Sequence, residues 1–176
     1  MGGHQSGEVA SRMAAGTIAT YFRTRDAKQA EGGPPSERLR AAVSHANARI
    51  FARADDSRAH RGMGTTVVAA AFHRETGELH VAHAGDSRCY RLRGGRFEQL
   101  TRDHSLVSDA LLERPDLSPS DLAYLPKNVI TRALGIGPAV DVELRVEHAE
   151  PGDVYLLCSD GLHGFVTDEQ MVEIIQ

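Results

Sequence analysis

Two segments of the chain share one design, an apolar run that ends in a carboxylate beside a small residue. The first is Val81-Ala82-His83-Ala84-Gly85-Asp86-Ser87-Arg88, and the second is Tyr155-Leu156-Leu157-Cys158-Ser159-Asp160-Gly161. If each apolar run is a strand, the sheet holds the carboxylate rigidly while its oxygens face the open edge. Hard dications such as Mg2+ and Mn2+ take oxygen ligands at fixed geometry and keep several waters, so both positions suit them. The adjacent Gly85 and Gly161 permit close backbone approach. Spacing leaves a second reading open: aspartate favours turns, and Asp86 and Asp160 would then only cap the turns that follow.

Other chemistries find less support. The nine histidines show no pairing on one helix face, so a zinc site is not expected. His4 lies just before a helix start, where backbone donors favour anions; it reads as a solvated loop residue or as a proton donor. Ser159 lacks the Gly-x-Ser-x-Gly elbow of serine hydrolases, and no Gly-x-x-x-x-Gly-Lys phosphate loop exists. Cys89 and Cys158 lack metal-ligand spacing and sit in apolar runs, so they read as core thiols. Residues 1–6 fit the loose N-myristoylation pattern but have no basic cluster to supply a second membrane signal.

The elements that must position these residues are legible in the hydrophobic period. Ser6 caps an expected helix to about Phe22, with Val9, Met13, Ile18 and Phe22 on one face. Residues 26–36, holding Gly32-Gly33-Pro34-Pro35, read as a polar linker. A second helix is expected over 37–54, with Leu39, Val43, Ala46 and Ile50 at helical spacing. Two such apolar stripes side by side need a sheet to cover them. Strands are expected at 65–72, 79–84, 88–93 and 96–100; Gly94-Gly95 supplies the last hairpin turn, and the four read as one antiparallel meander. A short helix at 105–113 precedes a proline-punctuated segment, 115–127, of the kind that is usually a functional loop. Val142, Leu144 and Val146 alternate on a strand over 140–148. The run at 154–158 is apolar throughout, as a strand buried on both faces would be. Thr167 and Gln170 form a capping box for a last helix.

Composition sets the bounds. The chain has 176 residues, 41% hydrophobic and 25% charged, with a net charge of -4, which is globular and not disordered. Mild acidity argues against a nucleic-acid partner. No apolar run reaches the ~18 residues of a membrane span, and residues 1–10 carry no secretory signal. The expectation is a cytoplasmic monomer with no membrane or nucleic-acid partner.

Six segments, in order, resemble motifs of the protein phosphatase 2C family, the metal-dependent Ser/Thr protein phosphatases, in its small bacterial form. Met1-Gly2-Gly3-His4 is similar to the tail of an Asp-Gly-Met-Gly-Gly-His loop, and Gly62-Met63-Gly64-Thr65-Thr66 to a Gly-x-Gly-Thr-Thr segment. Gly85-Asp86-Ser87-Arg88 and Asp103-His104-Ser105-Leu106-Val107 follow. Asn128-Val129-Ile130-Thr131-Arg132-Ala133-Leu134-Gly135 and Leu157-Cys158-Ser159-Asp160-Gly161-Leu162 complete the series. The resemblance implies an α+β fold, two packed antiparallel β-sheets flanked by helix pairs. It also implies two core Mn2+ or Mg2+ ions, with room for a third, that activate a water to attack phosphoserine or phosphothreonine directly. By the same resemblance Asp160 is a metal ligand, Asp86 holds the third metal with Asp160, and His4 stands by to protonate the leaving alkoxide. Phosphorylated proteins, those of a Ser/Thr kinase, are the implied partners, and signalling by dephosphorylation the implied role.

The family's Asp-Gly before the first motif and its later Asp-Asn are not in the chain. Residues 1–176 are therefore expected to be a partial catalytic domain, incomplete at both ends, with a flap at about 105–128. Losing those carboxylates leaves the repulsion between two dications poorly offset, so the chain as it stands is expected to be a weak or inactive phosphatase. The alternative is a non-catalytic pseudo-phosphatase that binds or regulates phosphoproteins.

Overall fold

The computed structural model describes residues 4–23, 34–56, 58–126 and 128–176, without the side chains of residues 4 and 5. Helix α1 (His4–Arg23) and helix α2 (Pro35–Asp56) lie against each other. Most of the 26–36 linker lies outside the described residues. Ser6 is not the cap: the helix starts before it, and its hydroxyl instead donates to the Ala59 carbonyl at 3.3 Å.

Six strands follow, β1 (Val67–His73), β2 (Glu78–Ala84), β3 (Arg88–Arg93), β4 (Arg96–Gln99), β5 (Glu143–His148) and β6 (Val154–Cys158). They form two antiparallel sheets, ordered β1-β2-β5 and β4-β3-β6. The expected meander is thus wrong at one joint. β1–β2 and β3–β4 are hairpins, as expected, but Gly85-Asp86-Ser87 carries the chain from one sheet to the other. Gly94 and Gly95 have φ of 54° and 80°, the left-handed pair that a tight hairpin turn demands.

The period of two sorts β2 into two faces. Ala82 and Ala84 meet Val67, Leu144 and the stripes of both helices, with Leu39, Val43, Ala46 and Ile50 fully buried there. Leu79 and Val81 face the second sheet and pack with Cys89 and Leu100. Arg91 ties the sheets, pairing with Glu98 in its own and Glu147 in the other at 2.9 and 2.8 Å. The layers are helices, sheet, sheet, and the α+β sandwich expected from the motifs is what the chain forms.

β6 departs from expectation. Val154 and Leu157 are both exposed, and among the described residues β6 pairs only with β3. Leu157 lines an apolar groove of about 480 Å3 shared with Ile18 of α1 and Val67 of β1. The flap holds two helices, α3 (Leu106–Glu113), capped by Ser105, and α4 (Pro119–Ala123), closed by a Ser118–Asp121 capping box. Helix α5 (Asp160–His163) follows β6, and α6 (Asp168–Ile175) begins at the expected Thr167–Gln170 box. Among the described residues, no helix is long and apolar enough to cross a membrane.

Candidate metal centre

Asp86 sits in the crossing between the sheets, at the C-terminal end of β2. Its position depends on Gly85, whose φ is +116° and where a Cβ would fall 2.6 Å from Thr66 Cβ. Only glycine fits both the dihedral and the space. The adjacent Ser87 hydroxyl lies 2.8 Å from Thr66 Oγ1, which fixes the crossing from its other side.

Asp160 opens α5 directly after β6, and α5 brings the two strand ends together. The ring of His163, in the same helical turn, donates from Nε2 to the Asp86 carbonyl at 3.1 Å. The charge of Asp160 is felt at Asp86. Burial pushes the Asp86 carboxyl above the ordinary carboxylate range; a contact with its own amide opposes this, and the charges of Asp160 and Asp103 add to the rise. Among the described residues neither Asp86 nor Asp160 is taken up by an ion pair. Two unpaired carboxylates held at one sheet end suit a hard cation, which would relieve their repulsion. Ser159, not Asp160, is the N-cap residue of α5, and it makes no side-chain cap bond.

Arg88 is not free to bind an anion. Its guanidinium makes a bidentate pair with Asp103 at 2.9 and 2.7 Å and donates to the Tyr90 hydroxyl at 2.9 Å. This pair forms one wall of a cavity of about 470 Å3, whose far wall is Pro119 and Leu122 of the flap. The flap ends are stapled where it leaves and rejoins the body. Leu106 donates to the Val129 carbonyl and Thr131 to the His104 carbonyl, each at 2.9 Å.

Behind the crossing lies a buried polar brace that sequence reasoning missed. His104 is wholly buried; its Nδ1 accepts the Gly85 amide at 3.1 Å, so its Nε2 carries the proton and donates to Glu143 Oε2 at 3.0 Å. The His83 ring stacks on it, with centroids 4.5 Å apart and planes at 4°, and its Nε2 donates to the Arg102 carbonyl at 2.8 Å. Burial holds His83 below the ordinary histidine range. For Glu143, burial pushes upward but the His104 hydrogen bond and the charges around it prevail, and the carboxyl stays low. Ligand atoms of His83, His104 and Glu143 lie within 4.8 Å of one another. They do not make a cation site, because both His104 nitrogens are committed. The Arg102 guanidinium, 3.6 Å from Glu143, and the Arg132 guanidinium, 3.3 Å from His104 Nε2, would also repel a cation. His83, His104 and Glu143 are 21 and 39 residues apart along the chain, so no local pattern announces them.

The expected sites thus divide. The charge of Asp160 reaches Asp86, while the His4 side chain lies outside the described residues. Cys89 is buried core and Cys158 half-buried, both with thiols raised by burial.

A family model described as protein phosphatase 2C matches residues 2–114. The Ser/Thr phosphatase Stp of Listeria welshimeri is 36% identical over the whole chain, which covers 69% of that protein. PstP of Mycobacterium tuberculosis, a Ser/Thr protein phosphatase, is 38% identical over the whole chain, which spans 33% of its length. The crystal structure of the M. tuberculosis phosphatase PstP/Ppp superposes with a TM-score of 0.84 at 37% identity, covering all of this chain and 72% of that one. A PstP catalytic domain in complex with two manganese ions gives 0.77 at 36% identity, covering 98% and 69%.

Proposed function

Because this chain belongs to the protein phosphatase 2C family, we propose that the sheet end bearing Asp86 and Asp160 is its metal-dependent phosphoester-hydrolysing centre. The enzyme class is Ser/Thr protein phosphatase, and phosphoserine and phosphothreonine side chains of proteins are the substrates. The observation that supports the site is the charge of Asp160 felt at Asp86, each carboxylate following a strand and neither in an ion pair among the described residues.

Mn2+ or Mg2+, when bound, supplies the Lewis acidity that makes water a nucleophile near neutral pH and offsets phosphoryl charge. Asp160 and Asp86 would hold the ions through oxygen. Gly85 and Thr66 fix the Asp86 backbone, and His163 fixes its carbonyl. His4 is assigned the protonation of the leaving alkoxide. The cavity between Arg88–Asp103 and the flap takes the polypeptide flanking the phosphorylated residue, its charged wall already neutralised. Residues 1–176 act as part of one catalytic domain, with the flap at about 105–128, and the phosphorylated partners are those of a Ser/Thr kinase.

The test reads metal binding before turnover. Titration of the chain with Mn2+ by calorimetry, alongside hydrolysis of a phosphothreonine peptide, is compared with Asp160→Asn and Asp86→Asn. Asp160→Asn should weaken Mn2+ binding at least tenfold and abolish any turnover; Asp86→Asn should remove only the weaker binding. Unchanged Mn2+ affinity and turnover in Asp160→Asn would overturn the assignment. Mn2+ binding and phosphopeptide affinity without turnover would favour a non-catalytic, phosphoprotein-binding role.

A further inference from the structure

The opposite end of the first sheet carries a second group of ligand-type side chains. β2 is seven residues long, so at about 3.3 Å per residue Glu78 and His80 lie roughly 26 and 20 Å from the Asp86 crossing. Register places His73 of β1 and His148 of β5 on either side of Glu78, and His80 two residues along the same face. Three strands therefore bring three imidazoles and one carboxylate to one patch of one sheet face. Helical histidine spacing leaves no trace of this group, because the pairing runs across strands.

His80 makes the patch unusual. It is 3% exposed, yet among the described residues neither ring nitrogen has a hydrogen-bond partner. Its Nε2 lies 3.3 Å from Glu78 Oε2 but out of hydrogen-bonding alignment. Leaving both nitrogens of a buried imidazole without an aligned hydrogen bond carries a desolvation cost. A separation of 3.3 Å is, however, the edge of a tetrahedral metal site: ligands about 2.0–2.2 Å from Zn2+ stand roughly 3.4 Å apart. The His73 ring lies edge-on to His80 with centroids 6.5 Å apart, and His148 is exposed at the rim.

We propose that His80 and Glu78, completed by rotation of His73 and His148, bind a borderline dication such as Zn2+ at the end of the sheet remote from the phosphatase centre. Nitrogen-rich ligation selects Zn2+ over Mn2+ and Mg2+, so the two ends of the sheet take different metals. The His73 Nδ1 contact with Thr76 Oγ1, 2.9 Å, is on the exposed hairpin and is given up on closure.

The experiment uses the full chain with Asp86→Asn and Asp160→Asn, which silences the oxygen site, titrated with Zn2+ by calorimetry in excess Mg2+. One Zn2+ equivalent is expected. Adding Glu78→Gln should weaken it at least tenfold and His80→Ala at least a hundredfold. Because His80→Ala could unfold the sheet, Glu78→Gln, at a partly exposed position, tests the same site independently, with circular dichroism reporting the fold. Absence of a Zn2+ equivalent refutes the site. Equal affinity in Glu78→Gln, or binding lost with His73→Ala and His148→Ala but kept in a folded His80→Ala variant, refutes it equally, since the ion would then sit on the two outer rings without the buried one.

Discussion

Replacing His104 separates what the buried brace does for the fold from what it does for the metal centre. His104→Ala deletes a wholly buried imidazole and leaves the Gly85 amide without its acceptor. The cavity, roughly 60 Å3 at about 24 cal/mol per Å3, costs about 1.5 kcal/mol. An unsatisfied buried amide costs about 1–3 kcal/mol, and the lost His83 stack about 0.5–1.5 kcal/mol. Partial collapse trims the total to about 4 kcal/mol, readable by urea unfolding. Two further variants divide the contacts. In His104→Asn the side-chain oxygen takes the place of Nδ1 and can still accept from Gly85; in His104→Gln the amide nitrogen takes the place of Nε2 and can still donate to Glu143. If the Gly85 contact positions Asp86, Asn restores most of the Mn2+ affinity lost in Ala, while Gln restores stability without restoring affinity. A loss under about 1 kcal/mol in His104→Ala, or Gln rescuing Mn2+ binding better than Asn, refutes this reasoning.

Gly85→Ala should cost about 3 kcal/mol, from a positive φ and a methyl forced onto Thr66. Gly77→Ala, with φ of +69° but open space around it, should cost about 1 kcal/mol; equal unfolding midpoints for the two would contradict the close-approach account. The buried His83 gives the fold a pH dependence of known sign. Its folded pKa lies below the unfolded value, so the unfolded chain binds the proton first and stability falls as pH drops through about 6.5. Thermal melts at pH 7.5 and 5.5 should show that decline, and His83→Gln should flatten it; parallel slopes in the two proteins would show that His83 is not its source.

The two long helices, both hairpins and the last capping box follow from local signals, which explains why they are legible in the sequence. A 3.6-residue stripe, a Gly94-Gly95 turn and the Thr167–Gln170 box each act within one or two turns of chain. The joint at Gly85-Asp86-Ser87 is not local in that sense. A short glycine-containing link between two apolar strands has the same composition whether it folds back as a hairpin or steps across to a second sheet. Here the decision falls to the contact of Gly85 with Thr66, 19 residues upstream. β6 misleads for a related reason: an apolar run records what a strand can bury, whereas the exposure of Leu157 depends on which neighbours stand beside it. Asp86 and Asp160 stand out as candidates because each follows an apolar run beside a glycine, while His104 and Glu143 each look ordinary until the fold brings them together.

Ligand type also accounts for the chemistry at each end of the sheet. Divalent affinity for nitrogen-containing sites rises toward copper and remains high at zinc, so any open imidazole beside a Mn2+ or Mg2+ centre invites the wrong ion. His83 and His104 stand just behind Asp86, close enough to offer one. His104 offers no lone pair, because Gly85 occupies Nδ1 and the Nε2 proton points to Glu143. The Nε2 of His83 donates to the Arg102 carbonyl, which leaves only the Nδ1 lone pair of a ring that is 2% exposed. The hydrogen bonds that shape the crossing therefore also leave the exposed surface of this end to carboxylate oxygen, which favours hard ions. At the far end the balance reverses: among the described residues, both nitrogens of His80 are unpartnered. Closing imidazoles at one end and leaving one open at the other would let one sheet sort two classes of metal by ligand chemistry alone.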